Sequence, residues 1–172
     1  MSSGEFLTRS SIWIALFCYF SVVSGQFSFR ASKHSCARWL RLAWTIGCIA
    51  YLGHVFCAFH FYHSWSHTEA YRRTAQTTKA MIGFDWGGGL YLNYLFTIVW
   101  IADVVWWWGG VERYRCRSRL VLAIMHGFLF FIVVNATVVF GAGAIRWFGL
   151  AACLWVAYRA CIRKLRSMNS SS

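Results

Sequence analysis

Four of the six histidines crowd between positions 54 and 67: His54, His60, His63 and His67. Neutral imidazole is the commonest side-chain ligand for transition metals and haem iron. On a helix, His60, His63 and His67 fall within an arc of about 60°, while His54 points away. His60/His63 are spaced i,i+3 and His63/His67 i,i+4, and either spacing brings two imidazoles to one ion. His60 and His67 stand roughly 10 Å apart along the axis, so the three together do not grip one ion. The chemistry this pattern points to is a metal or haem site, with copper, iron or haem b as the cofactor and His60/His63 as the firmer pair. A bis-histidine haem on His54 and His126 needs helix tilt, because their depths differ by about 8 Å. The same histidines have a plainer use. The run Phe59–Trp65 is rich in Tyr, Trp and His, which is ordinary chemistry for a membrane boundary.

A second group lies inside apolar stretches: Asp103, His126, Asn93 and Asn135. Counted at about 1.5 Å per residue from the arginine-rich side, Asp103 lies roughly 12 Å deep and His126 roughly 10 Å. They sit on adjacent helices, so the imidazole is the expected partner for the carboxylate, as a proton relay or as a support behind a metal ligand. An interhelical hydrogen bond that only fixes packing is the competing use. Asn93 and Asn135 fall near the level of His60 and supply polar support, joined by Asp85 at the turn between Phe84 and Trp86.

These residues need elements to hold them, and the apolar pattern supplies helices. The chain is 59% hydrophobic with five acidic residues against 17 Lys and Arg, too apolar for water to be its only solvent. Five stretches are each near the roughly 20 residues a helix needs to cross hydrocarbon: about 11–29, 40–62, 90–110, 120–141 and 144–162. The expected fold is therefore an all-α, polytopic membrane helix bundle, with residues 1–172 forming a single transmembrane domain. Trp44, Trp100, Trp106, Trp107, Trp108 and Trp147 are read as an interfacial aromatic belt. Between the second and third spans, Ser66-His67-Thr68-Glu69 has the S-x-x-E form of a capping box. It opens a short external amphipathic helix, within the segment 64–89, that ends at Gly83 and Gly87-Gly88-Gly89.

The charges orient the bundle. With the N-terminus outside, the cytoplasmic side collects Arg30, Lys33, Arg38, Arg41, Arg113, Arg115, Arg117, Arg119, Arg159, Arg163, Lys164 and Arg166. Arg9, Arg72, Arg73, Lys79 and Arg146 remain outside. Twelve against five favours N-terminus outside and C-terminus cytoplasmic, in a bacterial inner membrane or its equivalent. The rival is a signal peptide with Arg9, an apolar run Ile12–Val23 and a small-residue site at Val23-Ser24-Gly25, which leaves four spans and inverts the count.

Several classes drop out. The net charge of +12 gathers at span ends rather than on a soluble basic domain, so nucleic acid is not an expected partner. The seven cysteines form no C-x-x-C and no disulfide framework. The chain has no proline, and this weighs against the broken helices of secondary transporters. Gly87–Gly89 lacks the lysine and strand of a phosphate loop. Two functions remain: a small redox-type protein that binds metal or haem through the histidines, and a non-catalytic accessory or assembly subunit of a larger membrane complex. The expected partners are the lipid bilayer and either another membrane protein or further copies of this chain.

Overall fold

The computed structural model describes residues 3–28 and 34–169. Phe29, Arg30 and Lys33, which the sequence places at the first span's end and in the first arginine-rich loop, lie outside those residues. Helices follow in the order α1 (Ser3–Ser28), α2 (His34–Tyr62), α3 (His67–Ile82), α4 (Gly89–Trp108), α5 (Val111–Arg115), α6 (Arg119–Val134) and α7 (Ala144–Asn169). A π-helical segment, Asn135–Val139, continues α6. Among the described residues there is no strand. Among the described residues, five helices are long and apolar enough to cross a membrane, over Ser3–Gly25, Arg38–Tyr62, Gly89–Trp108, Arg119–Val139 and Ala144–Ile162. The molecule is an all-helical membrane bundle with one further short helix, α3, at one end.

The helix ends have identifiable causes. α1 begins at Ser3 rather than Ser11, because its first turns are polar and self-satisfied: Glu5 pairs with Arg9, and the Thr8 hydroxyl donates to the Gly4 carbonyl at 2.7 Å. α2 stops at Tyr62 because Ser64 and Trp65 adopt the left-handed conformation, with φ of 47° and 58°. The Trp65 amide turns back to the Phe59 carbonyl at 3.1 Å. α3 then starts on Ser66, whose hydroxyl accepts from the Glu69 amide at 3.2 Å. Only half of the capping box forms. The Ser66 amide donates to the His63 carbonyl, and the Glu69 carboxylate turns to Arg72 and Arg73 instead. α3 ends at Gly83 in the left-handed conformation, φ 78°, with its amide on the Lys79 carbonyl.

α3 buries Ala70, Ala75 and Thr78 and rests on α4. The glycine run beyond it permits close approach: a Cβ on Gly87 would lie 2.6 Å from the Tyr71 carbonyl oxygen. α1 packs along α2 and α7, and α4 lies between α2 and α6.

At the centre is an aromatic core. The rings of Trp44 and Trp100 are 5.0 Å apart, and Tyr19 is 5.4 Å from the first and 5.7 Å from the second. Trp44 is 0% exposed and Trp100 2%, and Trp107 is also buried, so these three do not form an interfacial belt. Trp106, Trp108 and Trp147 do remain exposed. Indole buries more apolar area than any other side chain, so a few of them go far in filling the centre of a bundle this small.

The Arg73 and Arg72 guanidiniums hold the Glu69 carboxyl below its ordinary value near 4.5. A carboxylate lowered in the folded state contributes stability above that ordinary value, and loses it as pH falls through the lowered one. Hydrogen-exchange protection in the first turn of α3 is therefore expected to weaken as pH falls below the ordinary carboxylate value and through the lowered one. Glu69→Gln should show the weaker protection at neutral pH, with no further pH step.

Candidate functional site

Asp103 lies in the last two turns of α4 and is 0% exposed. Apolar neighbours on α4 bring it to the α2-facing side of the helix, where its carboxylate must find partners or lose its charge. It finds three. Oδ2 accepts from Trp44 Nε1 at 2.9 Å and from the Tyr114 hydroxyl at 3.0 Å. Oδ1 accepts from an Arg117 guanidinium nitrogen at 2.5 Å. The donors come from α2, from α5 and from the turn after α5.

Each donor is itself held. Tyr114 stacks on Trp107, with ring centroids 4.5 Å apart and planes 7° from parallel. The Arg117 guanidinium lies 3.5 Å above the Tyr114 ring and 5.3 Å from that of Trp106, and its Nε donates to the Tyr114 carbonyl. Its side chain is 2% exposed, so the ion pair with Asp103 is fully desolvated. Burial first, and then the neighbouring Asp103 charge, push the Tyr114 phenol well above its ordinary range, so it stays protonated and donates. Just outside, the Arg41 guanidinium covers the Trp108 ring at 4.1 Å, and Trp108 Nε1 donates to Thr45 at 2.9 Å.

His126, the partner expected from depth alone, makes no hydrogen bond to Asp103. Its ring is 6.0 Å from that of Trp44, the same indole that donates to Asp103. Its Nε2 is buried with no hydrogen-bond partner, as is one Arg117 nitrogen, NH2. The two expected residues thus lie on one indole, but Arg117 takes the carboxylate. A signal for this was present in the sequence. Asp103 is the lone acid within the spans read from the sequence, and a cation from the next loop can reach back along its aliphatic stem. Counting Arg117 as a topology charge hid that role.

The histidine segment does not converge. His54 Nδ1 donates to the Thr8 carbonyl at 2.9 Å and so ties α2 to α1. His60 is exposed and lies on Phe56, Phe61 and Trp65. His63 stands edge-on to Phe59, its Nδ1 buried without a partner. Burial and the Arg73 charge lower the His63 imidazole below its ordinary range, which favours the neutral ring. The turn at Ser64 and Trp65 breaks the helix between His63 and His67, so their i,i+4 spacing is not a shared face. His67 opens α3 and faces α4, with Nδ1 3.1 Å from the Tyr94 hydroxyl and Nε2 3.5 Å from that of Tyr91.

The polar supports are spent locally as well. Asn135 Nδ2 donates to the Phe131 carbonyl within its own helix, and Asp85 pairs with Lys79 at 3.0 Å. Asn93 is exposed and stands by a cavity rather than by the histidines. Among the described residues no group of three or more His, Cys, Asp or Glu comes together to hold a metal ion.

The fold and its buried charge centre define an integral membrane helix bundle. Comparison with protein-family models, with curated proteins and with solved structures returned no match.

Proposed function

We propose that this protein is a non-catalytic subunit of a larger membrane assembly, presenting its α3 end to a partner protein. The observation that carries this is the row of apolar side chains left open outside the spans. Ile82 is 60% exposed, Phe84 61% and Trp86 44%, with Met81 and Trp65 beside them in sequence or at the same end. They lie between the second and third spans, so hydrocarbon does not cover them by default. An exposed apolar patch flanked by charge, here the Lys79–Asp85 pair, marks an interaction surface. At the other end, Asp103 supports the same reading. Its carboxylate is saturated by fixed donors and pins the α5 turn to the core, which makes a rigid scaffold rather than a group free to pass protons.

Copper, iron or haem b bound through the histidines draws no comparable support, because His60, His63 and His67 each face a different set of aromatic rings. The N-outside orientation belongs to this proposal too, and it would place the α3 patch on the non-cytoplasmic side.

A photo-crosslinking residue at Phe84, used in native membranes, tests the assignment. A discrete protein adduct is expected there, lost on Trp86→Glu, while the same probe at span position Ile98 yields lipid adducts. Lipid adducts alone at both positions would mean that the patch only sits in the headgroup layer, and the subunit reading would fall.

A further inference from the structure

At the end of the bundle away from α3, where α2 begins and α4 finishes, an arginine rests on an indole. The partly exposed Arg41 guanidinium lies 4.1 Å from the Trp108 ring centroid. That ring is fixed in turn. Trp108 Nε1 donates to the Thr45 hydroxyl at 2.9 Å, and this hydroxyl donates to the Arg41 carbonyl at 2.9 Å. The cation is thus held at the seam of two helices. Among the described residues, Arg9, Arg72, Arg73, Lys79 and Arg117 each pair with a carboxylate, and Arg41 does not. Those pairs use Glu5, Glu69, Asp85 and Asp103. The remaining acid, Glu112, is exposed on α5 beside the exposed Arg113.

A second cation stands next to it. Arg38 is exposed, and at i,i+3 on α2 its side chain is a neighbour of Arg41. Two guanidiniums present planar forks of N–H donors, which match the oxygens of a phosphate. The surroundings say which phosphate. The α2 span starts at Arg38 and the α4 span ends at Trp108, so the pair sits where hydrocarbon gives way to headgroups. From there Ile46 and Ile49 on α2, and Val105 and Ile101 on α4, lead exposed toward the middle of the spans. A soluble anion makes no use of that surface, whereas acyl chains do. A headgroup with its own ammonium would add a third cation, so a lipid of net negative charge fits best. We propose that Arg41 and Arg38 hold the phosphodiester of an anionic phospholipid, with Trp108 beside its glycerol and its chains along Ile46, Ile49, Val105 and Ile101.

Native mass spectrometry of the purified, delipidated chain, titrated with phosphatidylglycerol or with phosphatidylcholine of matched chains, is the test. Phosphatidylglycerol is expected to bind at least about tenfold tighter. Arg41→Gln should cut that preference about fivefold, the worth of one arginine at an anionic surface. Arg38→Gln should do the same. Its side chain is exposed, so its melting temperature should match the parent's, and it decides the matter if Arg41→Gln folds poorly. Arg119→Gln, at the same end but on α6, should leave the preference within about twofold. Equal binding of the two lipids, or indifference to Arg38→Gln, would overturn the proposal. A loss with Arg119→Gln as large as that with Arg38→Gln would do so too, since it would show a diffuse positive potential and no site. Inorganic phosphate at the lipid's concentration should leave the adduct intact. Displacement by it would make this a site for a soluble anion and would also overturn the lipid assignment.

Discussion

Replacing Arg117 by methionine, with Asp103 left intact, is expected to destabilise the bundle by about 3–5 kcal/mol. The size of the effect follows from burial rather than from the strength of the pair. Asp103 is 0% exposed, and removing its one cationic partner leaves a desolvated carboxylate. Asp103→Asn alone should cost a similar amount, because its amide would face the guanidinium that the carboxylate neutralises. The double variant should be milder than either single change. Asparagine keeps one carbonyl oxygen, which can stand at the Oδ2 position and go on accepting from Trp44 and Tyr114. Methionine then fills the guanidinium's place without charge. Replacing a whole buried ion pair is often neutral or even stabilising, whereas halving it is not. Denaturant titration of all four forms in one detergent checks this. Additive costs would mean that the two side chains do not depend on each other.

This centre also shows where reading the chain succeeds and where it stops. Span lengths, the Ser66 cap and the buried status of Asp103 rest on short-range physics: the thickness of hydrocarbon, orphan amides and the solvation of a carboxylate. All three were legible. The partner of Asp103 was not, because two candidates lay within reach and depth arithmetic cannot tell a helical imidazole from a cation folding back out of a loop. The arrangement of the histidines was hard to read for a related reason. Closeness in sequence becomes closeness in space only within one helix; α2 ends at Tyr62, and Ser64 and Trp65 turn the chain before His67. Trp44 and Trp100 misled as well. Tryptophan near a span end marks an interface when it faces lipid and a core when it faces its neighbours. Which way a helix faces is hard to read when it is apolar on nearly every side.

Adding one methyl group at Gly149 and one at Gly127 is expected to move stability in opposite directions. Both glycines lie within helices of the same hairpin, α7 and α6. A Cβ at Gly149 would sit 2.5 Å from Thr137 Oγ1 and 2.7 Å from Thr137 Cβ, so α7 has to move away from the π segment. Thr137 cannot yield, being 1% exposed with its hydroxyl donating to the Val133 carbonyl at 2.7 Å. Overpacking of this kind costs about 1–3 kcal/mol. A Cβ at Gly127 meets nothing within 4 Å, and alanine favours the helix over glycine by up to about 1 kcal/mol. Thermal unfolding of Gly149→Ala and Gly127→Ala in one detergent gives the comparison. The two midpoints should move apart, with the Gly149 variant lower than the parent. Close approach through small residues is how membrane helices associate without a hydrophobic drive between them. A shared upward shift would mean that helix propensity outweighs contact in this hairpin, and that α7 is not seated on Thr137.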